Sequence, residues 1–430
     1  MSPKSMVFSL PVFSIIFARI LYAINWFNIS SIFYLILVDF RQDVSMLGLI
    51  TSSFLIGIGL FQIPAGILSA KYDPKLIIVG GTLLLSTASL LTGFVSEIYQ
   101  MVILRFLVGV GMAFFFGPSV IIISNYLGKG SEGLGVGMLN SAHSLGGIIG
   151  VFGWIILADL LGWRTGLVFG GILGLFSGVL LSYYLFKRQY LNDTNMGKKF
   201  LSSMRRITEL FNGSIHYKFN HRISVPNSQI SLKNLKKIMT NKSILLVALS
   251  LLGVQIGWML VSTFIIVYLK IDLGLTSALA GLIGMTTLIV NVLFAPVFGK
   301  IYDHFVRKKC VKLDVISLVS CGLIIAVCIS LFSLAPLHLL IPLIVIIGIF
   351  ASGGFVIPYT LARRIVVENM GMPYYDVLAI SYVNGISLLG AFWAPIMFSF
   401  MVKGFGYSIA WLTGGLLIAV FIIPIIRLRL

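Results

Sequence analysis

Two arginines, Arg19 and Arg105, stand inside long apolar runs of this 430-residue chain. A charged side chain is costly in hydrocarbon, so an arginine there marks a functional site or a brace between helices. At helical spacing Arg19, Tyr22, Trp26 and Ser30 share one stripe, with Asn25 at its edge. A cation flanked by aromatic and hydroxyl groups reads as a lining rather than a lipid face, and its planar guanidinium suits a carboxylate or phosphate. A second polar cluster, Asn140, His143 and Ser144, falls within about one turn. His143 either titrates near neutrality or hydrogen-bonds across helices.

Further along, Gln255, Trp258 and Ser262 repeat the spacing of Arg19, Tyr22 and Trp26. Ser352, Tyr359 and Thr360 follow in a later run, and Asn384, Ser387 and Trp393 in the next. These amides and rings are candidates for the opposite wall of one cavity; core or interfacial packing is the plainer reading of each Trp. The acids lie elsewhere: Asp39, Asp43, Asp159, Asp272, Asp314 and Asp376 all fall near the ends of apolar runs. An organic cation would therefore find no counter-charge, and any coupled proton would ride on His143 or on the substrate itself.

No H-E-x-x-H, G-x-S-x-G or Walker A pattern occurs, so neither an enzyme nor a metal or other cofactor is expected. Cys321 and Cys328 are seven positions apart on one expected helix, roughly 10 Å along its axis and beyond disulfide reach. They read, with Cys310, as small apolar core residues.

The elements that position these side chains follow from composition. Hydrophobic residues make up 58% of the chain and charged ones 10%, with a mean hydropathy of +1.05. Soluble domains carry about a quarter charged residues, so this surface must face lipid. The apolar runs continue for about 20 residues rather than alternating over about 10, which predicts helices and not a barrel. The expected spans are 8–37, 44–69, 75–95, 98–126, 133–158, 163–186, 243–270, 277–298, 311–332, 335–358, 375–401 and 405–427. An all-α membrane protein of 12 spans results: an N-terminal bundle at 1–186, a basic linker at 187–242 and a C-terminal bundle at 243–430.

Net charge is +18, but the cations cluster in loops between apolar runs, which speaks against nucleic acid. The stretch from Lys187 to Lys242 holds twelve Lys and Arg against two acids, Asp193 and Glu209. Lys71, Lys75, Lys300, Arg307, Lys308, Lys309, Lys312, Arg363 and Arg364 fall on the same side, whereas the other side has Arg41, Arg164, Lys270 and Lys403. Both termini are therefore expected in the cytoplasm. Within the linker, Ser231 to Met239 is a short basic amphipathic segment suited to an anionic leaflet; a solvated topogenic linker is the simpler reading. The first span reads as retained, without a small-residue cleavage site.

One loop recurs. Gly66 to Lys75 (GILSAKYDPK) follows Pro64, and Gly299 to Lys308 (GKIYDHFVRK) follows Pro296, each between two apolar spans of its own half. Both loops resemble the cytoplasmic signature of the major facilitator superfamily, roughly G-x-L-a-D-R-x-G-R-K. The second copy fits at Gly299, Asp303, Arg307 and Lys308. The first keeps Gly66 but has Ala70 for the Asp, and Asp73 and Pro74 for the Gly and Arg. Leu104 to Ala113 (LRFLVGVGMA) is similar to the family's R-x-x-x-G-x-G segment in span four, and Leu161 to Phe169 (LGWRTGLVF) to its entry into span six.

That resemblance implies two six-helix bundles rocking about a midplane cavity, with a carboxylate clamp at Asp303, Arg307 and Lys308. It also implies a span-four Arg105 facing span one. A span-one Arg with a span-five His is similar to organic-phosphate and organic-anion members, although the second span-seven Arg of phosphate antiporters is missing. The expected function is secondary active transport of a small organic anion such as a carboxylate. The expected setting is the plasma membrane, with the lipid bilayer, the substrate and at most protons as partners, and the protein a monomer. The rivals are efflux of amphipathic or neutral compounds, with Arg19 structural, and a non-transporting sensor or scaffold.

Overall fold

The computed structural model describes residues 10–42, 45–128, 131–193, 232–307, 311–372 and 375–428. Helices dominate because the runs are long, apolar and nearly free of interior charge, so each backbone group must bond within its own segment. The first half holds α1 (Leu10–Phe40), α2 (Ser45–Lys71), α3 (Pro74–Thr92), α4 (Ile98–Leu127), α5 (Glu132–Leu161) and α6 (Trp163–Asp193). A short α7 (Leu232–Met239) precedes α8 (Lys242–Ile271), α9 (Ser277–Arg307), α10 (Val311–Leu331), α11 (Leu337–Arg364), α12 (Asp376–Ala391) and α13 (Ala394–Ile422). No strand occurs among the described residues, and within them 12 segments are long and apolar enough to cross a membrane. The eleventh crossing, Asp376–Phe398, runs through the break at Trp393 into the start of α13, and Gly406, whose φ of 82° breaks α13, adopts without strain a conformation closed to most side chains.

Local signals place the helix starts. Asp73 accepts from the Lys75 amide at 2.9 Å with Pro74 at the first helical position, which accounts for this Asp-Pro pair as the start of α3. Asn241 caps α8 through the Ile244 amide at 3.1 Å. Glu97 and Gln100 form a capping box on α4.

Within the first half α3 packs on α4 and α6, α2 on α4, and α1 on α5 and α6; within the second, α9 and α10 pack on α11, and α8 on α12 and α13. The halves join chiefly through α5 with α9 and α2 with α12, with smaller contacts of α5 with α11 and α4 with α12. Small residues let these backbones approach: a Cβ on Gly137 would strike the Ala295 carbonyl, and one on Gly66 would lie 2.8 Å from the Ser381 Cβ.

Most of the linker at 187–242 lies outside the described residues. Its last part departs from the solvated-linker reading. In α7 Leu235 and Ile238 are buried while Lys233, Lys236 and Lys237 are exposed. Asn234 donates to the Tyr375 hydroxyl at 3.3 Å, and the Tyr382 hydroxyl donates to the Met239 carbonyl at 2.9 Å. The amphipathic segment is thus docked on the second half. Cys321 and Cys328 are free and buried.

Candidate functional site

Between the halves lies a cavity of about 70 Å³. α1 supplies Arg19, Tyr22 and Trp26, which helical periodicity stacks on its inward face; α5 supplies Asn140, His143 and Ser144. The other half contributes Gln255 and Trp258 from α8, Tyr359 from α11 and Asn384 from α12. Those side chains line one cavity. Asn25 does not join them: its amide donates to the Leu21 carbonyl and accepts from Ser89 of α3, which turns it into the first bundle.

Four lining residues carried no sequence-based expectation: Phe116, Asn291, Phe355 and Leu388. Asn291, a lone amide in an apolar stretch, was the one detectable signal. It accepts from Ser144 at 2.9 Å and donates to Ser352 at 3.0 Å, so one amide ties α5, α9 and α11 at the level of the cavity.

Arg19 is 5% exposed. Its Nε donates to the Leu139 carbonyl at 3.4 Å, and its guanidinium lies 4.2 Å from the Tyr22 ring centre and 5.0 Å from that of Phe116. Arg19 Nη1, Asn140 Nδ2 and His143 Nδ1 are buried without a hydrogen-bond partner among the described residues. Such atoms are rare in folded proteins because each forfeits its solvation. No Asp or Glu lines the cavity. His143 is enclosed by rings, with Trp26 edge-on at 5.5 Å and Tyr22 at 5.9 Å. The Tyr359 hydroxyl donates to Asn384 Oδ1 at 2.7 Å.

Arg105 is buried beside the cavity and serves a different end. Its Nη1 donates to the Asn25 carbonyl at 3.0 Å and its Nη2 to the Trp26 carbonyl at 3.5 Å, beneath the Phe54 ring. It braces the backbone of α1 at the residues flanking the cavity.

The face on which α6 ends and α8 begins is tied across the two halves. Asp303 Oδ1 accepts from the Gly133 amide at 2.8 Å and Oδ2 from the Leu134 amide at 3.0 Å. A carboxylate at the first amides of α5 meets both unpaired donors and the positive helix end. The side chain of Arg307 and the whole of Lys308 lie outside the described residues. Gly299 sits so close to Gly133 that a Cβ there would overlap its carbonyl. Ala70, in the equivalent place of the first half, is buried and can cap nothing. At the start of α12 Asp376 accepts from its neighbouring Val377 amide at 2.9 Å and pairs with Arg363, which also holds Glu132 of α5 at 2.7 Å.

A twelve-crossing bundle with a buried, charged cavity between two halves is the architecture of an integral membrane protein. The chain matches the Major Facilitator Superfamily over residues 15–375 and belongs to it, as its loops implied. It shares its fold with a fucose transporter, FucP, crystallised in the outward conformation: 15% identity, TM-score 0.66, 99% of this chain and 100% of that one. Among curated relatives are a probable sulfoacetate transporter of Cupriavidus necator, 29% identical over 160 residues, and a 4-hydroxybenzoate transporter of Pseudomonas aeruginosa, 30% identical over 162 residues. Each match covers 37% of this chain, and it spans 37% and 36% of those relatives. The relatives are transporters, not enzymes.

Proposed function

We propose that this protein is a secondary active transporter of small organic anions, carboxylates above all, working by alternating access. The observation that carries the reading is Arg19, a buried cation whose Nη1 has no partner among the described residues, in a cavity without a carboxylate. A buried unpaired charge is costly, so a mobile anion completing the site resolves the imbalance. Tyr22, Trp26, Asn140, His143, Gln255, Trp258, Tyr359 and Asn384 form the rest of the site, and Asn25 supports it from behind. Both relatives described above are named for organic anions. The cavity of about 70 Å³ falls well below the roughly 300–1,000 Å³ of drug-sized sites, which favours a small solute over bulky amphipathic compounds.

The rocking of the halves follows from their two-fold build. The face tied by Asp303 and Arg363 is cytoplasmic on the strength of its Lys and Arg excess, so the arrangement described here is closed to the cytoplasm. Gly66 and Gly299 permit the close backbone contact of that state, and Arg105 holds α1 through the cycle. Uptake into proteoliposomes across a panel of organic anions, cations and neutral solutes tests the reading. Saturable uptake confined to anions is expected. Transport of cations or neutral amphipaths with no anion moved would overturn it.

A further inference from the structure

The two walls of the cavity differ in chemistry. The first half presents the one cation among the lining residues, Arg19, whose Nη1 is unpartnered among the described residues as is Asn140 Nδ2, with His143 beside them. The second half presents neutral amides and ring faces, and neither a cation nor an acid of that half lines the cavity. Phe116 joins the walls, 5.0 Å from the Arg19 guanidinium and 4.8 Å from the Tyr359 ring. Opposite, Trp258 and Phe355 meet edge to face at 5.7 Å.

From this division we propose that the site selects a head-and-tail monoanion. One carboxylate lies against Arg19 and Asn140, and a flat apolar body lies against Phe116, Trp258 and Phe355. The proposal rests on the organic-anion reading and narrows it. Arg19 already spends Nε on the Leu139 carbonyl and its faces on Tyr22 and Phe116, which leaves one charged head for one carboxylate. A second negative charge on the ligand would meet only ring faces, whose quadrupole is negative, and neutral amides, with no cation to balance it. A zwitterion would bring an ammonium to a wall without an acid. A short aliphatic acid would fill the head site and leave the rings unmatched. Tyr359 is held by Asn384, so it offers the tail a fixed surface.

Isothermal titration of the purified full-length protein with benzoate, acetate, terephthalate and benzamide tests this. Benzoate is expected to bind about tenfold or more tightly than acetate or terephthalate, in keeping with burial against two or more rings, and benzamide not measurably. Phe355→Leu should cut the preference for benzoate over acetate severalfold. Acetate or terephthalate binding as tightly as benzoate would overturn the monoanion with a flat tail, and so would benzoate failing to bind; both leave the organic-anion reading standing. Benzamide matching benzoate, unchanged in Arg19→Gln, would instead remove the organic-anion reading itself.

Discussion

The carboxylate of Asp303, at the end of α9, caps the Gly133 amide at the start of α5 with a 2.8 Å hydrogen bond that crosses from one half of the molecule to the other. The same carboxylate takes the Leu134 amide, so a single side chain satisfies two orphan donors of a helix in the opposite bundle. Charge-assisted bonds of this kind contribute about 1.5–3 kcal/mol each, enough to bias two states of a rocking carrier tenfold or more.

Asp303→Asn keeps the shape but replaces one acceptor by a donor facing an N–H. Transport is expected to slow about tenfold with substrate affinity nearly unchanged, since the cap is remote from the cavity. Ala70→Ser, at the equivalent place that caps nothing, should have a much smaller effect. Initial uptake rates and equilibrium binding read the two quantities separately. Equal turnover in Asp303→Asn and the parent would show the cap to be dispensable.

Arg363 is a two-sided bridge, 2.7 Å from Glu132 of the first half and 3.4 Å from Asp376 of the second. It ties the two halves at the start of α5, where Asp303 also binds. Arg363→Gln leaves both acids without this cation, and Glu132→Gln leaves the cation with one partner. The pair should couple by about 1 kcal/mol in a double-mutant cycle of melting temperatures, within the usual span for contacting residues. Strict additivity of the two substitutions would contradict the bridge.

Gly299→Ala tests the close approach of α9 to α5. The added methyl would overlap the Gly133 carbonyl, which belongs to backbone and cannot rotate away. The two helices must part there, so a cysteine placed at Leu134 should react with a hydrophilic thiol reagent severalfold faster in the Gly299→Ala variant than in the parent. An unchanged rate would mean that the face opens by another route.

Much of this architecture was legible in the sequence because lipid leaves few options. Apolar runs of helical length had to become crossings, and Arg19, Tyr22 and Trp26, on one stripe, had to share a surface. The family resemblance, rather than spacing, implied that Arg105 faces α1, where it holds the Asn25 and Trp26 carbonyls. What stayed hidden was convergence between helices. Phe116 and Phe355 are two of 32 Phe, and nothing local distinguishes a ring that faces a cavity from one that faces lipid. Asn25 sits one position from the stripe and was equally suited to the cavity or to Ser89. The docking of α7 depended on Tyr375 and Tyr382, over a hundred positions away.

Orientation rests on the basic excess of the segment from Lys187 to Lys242. In intact cells this segment should resist externally added protease, and in inside-out vesicles it should be cleaved. Cysteines introduced there that react with an impermeant reagent from outside would reverse the assignment.

The central claim is that Arg19 is the counter-charge of the substrate. Arg19→Lys, which keeps the charge but loses the fork, should weaken binding strongly while the protein still inserts. The most direct measurement is the thermal shift produced by the carboxylate that is taken up best in proteoliposomes, compared between the parent and Arg19→Gln. The parent should be stabilised by about 2–3 kcal/mol equivalent at a hundredfold excess over its dissociation constant. Arg19→Gln should remain monodisperse, melt near the unliganded parent and show no shift. A full ligand-induced shift in Arg19→Gln would contradict the account.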